Sequence, residues 1–158
     1  MFLLKISLLI IFAWLIKLIS CEECPELPDI ITSLPNYLEN QPFPCMYSGT
    51  INVDEDTDSN LFYWFFRDEK LKEDAPLILW INGGPGASSM IGLFIENGPL
   101  KLVRDQNNIL KVHYLEGISW TSIANVIFLD QPIGTGYSYG HKIIANDKDV
   151  RDQAIEFL

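Results

Sequence analysis

The sequence predicts an α/β protein in which an antiparallel lead-in hairpin precedes parallel strands that alternate with helices. Two β-rich runs, YSGTINV (residues 47–53) and LFYWFF (61–66), flank a long acidic turn. Two near-continuous apolar runs, PLILWI (76–81) and ANVIFL (124–129), read as strands buried on both faces. Each apolar run ends in a Gly-rich loop that leads toward a helical pattern, the signature of an α/β sheet.

The elements follow in chain order. Residues 1–21 read as a secretory signal peptide: Lys5, an apolar stretch from Ile6 to Ile16 broken by Ser7, then small Ser20 and Cys21 before Glu22. A spanning helix needs about 20 apolar residues, and Lys17 interrupts this one, so no stable membrane anchor is expected after cleavage. Residues 22–46 form an extended lead-in rich in Pro, Asp, Glu and Asn, with a short turn of helix near Tyr37. The remaining segment, 47–158, carries the α/β pattern.

Within that segment the DEDTDSN stretch (54–60) reads as a solvated turn, because it lacks the Gly and terminal Glu of a calcium loop. After the first Gly-rich loop, Met90, Ile91, Phe94 and Ile95 mark one face of a short helix, with Ser88 or Ser89 as its cap and Asn97-Gly98-Pro99 as its stop. Residues 100–116 read as irregular, with room for one more short strand. From Asp147 a final helix opens, offering Val150, Ala154, Ile155, Phe157 and Leu158 for packing.

Composition narrows the function. Of 158 residues, 48% are apolar and 20% charged, a globular balance. Acidic residues outnumber basic ones 21 to 11, for a net charge of −10. That surplus argues against nucleic acid, which needs clustered Lys and Arg, and against an anionic membrane surface. Cys24 and Cys45 are a candidate disulfide pair in an oxidising compartment; the alternative is that each pairs with a cysteine outside this sequence. No motif for a metal or an organic cofactor occurs, and no N-x-[ST] sequon.

The stretch WINGGPGASS (80–89) carries the most chemistry. Its glycines allow backbone shapes closed to other residues and close approach of a ligand. A helix starting just beyond supplies unpaired N–H groups and a partial positive charge, which suits an anion. A phosphate loop would carry a Lys at the helix start, and none is present, so a carboxylate or a transient oxyanion fits better.

These residues resemble the serine carboxypeptidase family. WINGGPGASSMIGLFIENGP (80–99) is similar to its first signature, and NVIFLDQPIGTGYSY (125–139) to its second, in the right order and spacing. The resemblance runs from about Tyr47 to the end of the chain. It implies an α/β-hydrolase fold, a secreted or lysosomal/vacuolar location, and a Ser-Asp-His triad in that chain order acting on the C-termini of peptides and proteins. Carried over by position, the Gly84 N–H resembles an oxyanion-hole donor. Asn82 and the Gly83 N–H resemble the groups that hold the substrate's terminal carboxylate, with Glu96 as the acidic member of that network and Trp80 as its supporting aromatic. A carboxyl group can donate a hydrogen bond to a carboxylate only while it keeps its proton, so the resemblance implies binding that favours acidic pH.

One position departs from the family: Ala87 stands where a disulfide-forming Cys is usual, which leaves the loop looser or held by packing alone. GYSYG (136–140) matches the G-x-S-x-G elbow in letters only, because five residues separate it from the strand ending at Asp130. Ser138 therefore reads as a loop residue, His113 and His141 as surface residues, and Asp130 as a strand-end Asp outside the triad. The resemblance puts the triad beyond Leu158 and makes this chain the first third of such an enzyme, inactive alone, with the 126–129 strand left as an exposed edge. A family acyltransferase and a non-catalytic secreted binding fragment are the alternatives.

Overall fold

The computed structural model describes residues 24–158. The signal-peptide expectation and Cys21 lie outside them. The strands are β1 (Met46–Asp54), β2 (Ser59–Phe66), β3 (Leu77–Trp80), β4 (Leu100–Arg104), β5 (Leu110–Tyr114) and β6 (Asn125–Leu129), and the α-helix is α1 (Asp147–Phe157). Four strands form one mixed sheet in the order β1-β2-β6-β3, and β4 pairs with β5 as a separate ribbon.

The expected hairpin is present. β1 and β2 pair antiparallel from Met46 opposite Phe66 to Asp54 opposite Ser59, with a bulge between Asn52 and Asp54. The acidic turn closes through a 3-10 turn, Glu55–Thr57, and Asp58 takes a left-handed conformation at φ 45°. Lys142 reaches back to pair with Asp54 at 2.8 Å, tying the turn to the segment before α1.

β6 pairs antiparallel with β2 and parallel with β3. Two expectations fail here. The 126–129 strand has partners on both sides, so it is the middle of the sheet rather than its edge. β3 is the outer strand, and Leu77 is 60% exposed despite its apolar run. An apolar run reports two apolar faces but not which neighbours cover them.

Strand alternation sorts side chains onto two faces. Even-numbered residues, including Met46, Trp64, Phe66, Val126, Phe128 and Trp80, build the larger core. Leu93, Leu100 and Tyr114 close over it from outside the sheet. Odd-numbered Val53, Leu61 and Leu129 form a smaller cluster that Phe157 of α1 caps at one end. Fully burying residues of this size stabilises by about 1.5–3 kcal/mol each.

Residues 100–116 hold two strands, not the single one expected. Leu100 pairs with Tyr114 and Arg104 with Leu110, and Asp105 closes the turn by accepting from Asn107 N and Ile109 N. The lead-in straps this ribbon to the sheet. Ser48 N donates to Asp29 O and Ile31 N to Met46 O on one side, while Leu38 N donates to Val112 O and Val112 N to Asn36 O on the other. Near Tyr37 there is no helix: Asn36 has φ 55°, and Tyr37 bridges to Val112. Cys24 and Cys45 form a disulfide with Cα atoms 5.3 Å apart, which resolves the pairing left open by the sequence.

α1 begins at Asn146, whose side chain accepts from Lys148 N and Asp149 N. Its packing differs from the expected apolar stripe. Gln153 is the buried residue, accepting from Ile133 N, while Gln131 donates to Val150 O. Ile155 and Leu158 remain exposed. No helix among the described residues is long and apolar enough to cross a membrane.

The disulfide closes a loop with a sequence separation of 21 and anchors the strap. Replacing both cysteines by Ser in the intact gene product is expected to cost roughly 3 kcal/mol. Thermal unfolding with and without reductant measures it, and an unchanged melting temperature would contradict the strap's role.

Candidate active site

The tips of β3 and β6 lie side by side because the strands are parallel neighbours, and ligand sites in such sheets gather beyond these carboxyl ends. Asp130 follows β6 directly and is fully buried. One of its carboxylate oxygens accepts from the Ser88 hydroxyl at 2.8 Å and from Ser89 N at 2.7 Å. The other accepts from Tyr137 N at 2.9 Å. The loop after β3 and the loop after β6 therefore meet on one carboxylate. Gly136 is required at this junction: its φ is 54°, and a Cβ there would overlap the Asp130 carboxylate.

Ser89 adds a second tie. Its hydroxyl donates to Leu129 O at 2.5 Å and accepts from Asn82 N at 3.0 Å. The loop at Ala87 is thus held by hydrogen bonds to β6, where the sequence suggested looseness or packing. Ser138 is buried and structural: it donates to Asp130 O at 2.6 Å and accepts from Phe62 N at 2.7 Å.

The helix start is not an open anion site. Ser89 N is taken by Asp130, and Met90 N donates to the Ser88 hydroxyl. The anion held there is the chain's own carboxylate. The amides of Gly83 and Gly84, in the exposed turn before it, find no acceptor among the described residues. Gly84 has φ 136° and Gly86 φ 100°, conformations that a side chain would strain.

Trp80, at the end of β3, donates its indole N–H to Asn82 Oδ1 at 2.8 Å. Gly92 N donates to the same oxygen at 3.1 Å. With Oδ1 engaged by two donors, the amide nitrogen must face the other way, and it donates to Glu96 Oε2 at 3.3 Å. Gly92 allows this approach, since a Cβ there would overlap the Trp80 indole nitrogen. Trp80, Asn82 and Glu96 therefore form one connected group, with Gly83 and Gly84 next in the chain.

The segment carrying Glu96 is a π-helical turn, Gly92–Glu96. It buries Leu93, while Ile91 is 41% and Ile95 79% exposed, so the expected apolar face is wrong at both isoleucines. The wider π spacing rotates side chains off the 3.6-residue stripe assumed from sequence. His141 is exposed and His113 half-buried on β5.

Trp120 also meets this group, a contact not expected from sequence. It lies in the 3-10 turn Trp120–Ser122, and its ring meets Trp80 edge-to-face with centroids 5.3 Å apart. Nothing in its local sequence signals this contact, which depends on the β3–β6 register.

The chain is similar to several known proteins. The family described as serine carboxypeptidase matches residues 35–158. "Serine carboxypeptidase S10 family member 2" of Dictyostelium discoideum is 38% identical over 135 residues, covering 82% of this chain and 23% of the relative. "Serine carboxypeptidase-like 9" of Arabidopsis thaliana is 38% identical over 151 residues, covering 92% of this chain and 33% of the relative. A "Carboxypeptidase Y homolog A" of Ajellomyces capsulatus is 48% identical over 100 residues, covering 63% and 17%. Among solved structures, Kex1(delta)p, a prohormone-processing carboxypeptidase from Saccharomyces cerevisiae, superposes with a TM-score of 0.61 at 35% identity, covering 72% of this chain and 26% of that one.

The fold and the loop at its strand tips define part of an α/β-hydrolase. The chain belongs to the serine carboxypeptidase family. It spans between 17% and 33% of the length of these curated relatives.

A buried carboxylate that loses its charge faces its three donors with an amide it cannot match. Asp130→Asn is expected to destabilise the intact protein by roughly 3 kcal/mol, against about 1 for Ser88→Ala. Urea unfolding checks the order; equal, small losses would mean that Asp130 does not join the loops.

Proposed function

We propose that this chain supplies the carboxylate clamp and an oxyanion donor of a serine carboxypeptidase acting on peptide and protein C-termini at acidic pH. The observation that carries the reading is the Asn82 amide: two donors on Oδ1 turn its nitrogen toward Glu96, beside the free Gly83 N–H. An amide N–H, a backbone N–H and a protonated carboxyl together suit a carboxylate. They suit a phosphate poorly, because no Lys or Arg stands in this loop.

Gly84 N–H is the oxyanion donor in this reading. A serine hydroxyl attacks the scissile carbonyl carbon, the carbonyl oxygen gains negative charge against that N–H, and the C–N bond breaks with a proton passing to the leaving amine. Water then cleaves the acyl ester and restores the serine. By the resemblance, the serine, aspartate and histidine of the triad are not among Ser138, Asp130, His113 and His141. The disulfide and the signal-like residues 1–21 support a place in the secretory pathway, secreted or in a lysosomal or vacuolar lumen.

A carboxyl beside a substrate carboxylate donates to it only while it carries its proton and repels it once ionised. Binding of N-acetyl-phenylalanine to the intact gene product is expected to weaken by about tenfold or more as pH rises from acidic to alkaline. The corresponding amide should bind without that trend. Glu96→Gln keeps a donor at every pH and should flatten the profile. Calorimetric titration across pH tests this, and a flat wild-type profile would overturn the reading.

A further inference from the structure

We propose that Trp120 is a positioning residue for the clamp: its ring holds the Trp80 indole in the orientation that aims Asn82. Two groups stand against the Trp80 indole. One is Gly92, where a Cβ would overlap the indole nitrogen. The other is Trp120, with centroids 5.3 Å apart and the rings at 90°, the edge-to-face geometry in which a positive ring edge meets a negative face.

Trp120 is itself firmly placed. Its N–H donates to Asn97 O at 3.1 Å, one residue beyond Glu96. Its carbonyl accepts from Ile123 N and Ala124 N, both at 3.2 Å. The next residue, Thr121, is buried, and its carbonyl accepts from Glu69 N at 2.9 Å. Trp120 thus touches the clamp at both ends, through its ring to Trp80 and through its backbone beside Glu96.

Burial does not explain this residue. Trp120 is 40% exposed and is not among the side chains packed in either core cluster. A large aromatic ring left that open and set perpendicular to another ring acts through orientation. That the clamp's ligand is a peptide carboxylate rests on the preceding reading; the hold on Trp80 does not.

The test compares Trp120→Phe, which keeps an aromatic partner, with Trp120→Leu, which keeps apolar volume without one. The readouts are solvent exchange of the Trp80 indole N–H by NMR, assigned with Trp80→Phe, and affinity for N-acetyl-phenylalanine and its amide. Trp120→Leu is expected to speed that exchange and weaken the free acid roughly threefold to tenfold, leaving the amide unchanged. Trp120→Phe should stay near wild type in both. Unchanged exchange in Trp120→Leu, or equal acceleration in both variants, overturns the proposal. If exchange separates the variants but the wild type binds acid and amide alike, the positioning role stands and the carboxylate reading falls.

Discussion

A single buried carboxylate organises this structure. Asp130 sits at the tip of the central strand, and its oxygens are met by one hydroxyl and two backbone amides from two different loops. A buried charge is tolerable only when such donors surround it. Satisfying Asp130 therefore draws residues 88–89 and 137 to fixed positions around β6. It also takes the Ser89 amide at the start of the following helical segment, where Met90 N donates to the Ser88 hydroxyl. The amides of Gly83 and Gly84, like those of Gly86 and Ser88, have no acceptor among the described residues.

The same economy runs through the clamp. Trp80 comes from the end of β3 and Glu96 from the π-helical turn, and Asn82 joins them with both ends of its amide engaged. Trp80 also belongs to the larger core, packed on the even-numbered face of the sheet. The clamp is thus an extension of the core rather than a loose surface group, and the β4–β5 ribbon and the lead-in strap stabilise the site by completing that core. The odd-numbered face carries less cover, and β3 leaves one edge of the sheet unpaired among the described residues.

Much of this was legible in the residues, for identifiable reasons. The β1–β2 hairpin announces itself through aromatic and β-branched density, and Asn82 to Gly86 through glycines that no regular element tolerates. What stayed hidden depends on distant partners. Leu77 to Trp80 read as a doubly covered strand because apolar content does not name its neighbours. Leu110 to Tyr114 mixes Lys, His and apolar residues, and it becomes a strand through pairing with β4 and the lead-in. Asp130 carried a family likeness without a role, because its donors lie 41 and 42 residues upstream as well as seven downstream. Ile91 and Ile95 fall outside the core because a π turn breaks the 3.6-residue helical period.

If Asp130 occupies the Ser89 and Tyr137 amides, an incoming anion is left with those of Gly83 and Gly84. Backbone amide shifts in the intact gene product, followed by NMR during titration with N-acetyl-phenylalanine at acidic pH, test it directly. The Gly83 amide is expected to move most, with Gly84 beside it, while Ser89 and Tyr137 stay in place. Movement of Ser89 and Tyr137 with Gly83 and Gly84 unmoved would contradict it.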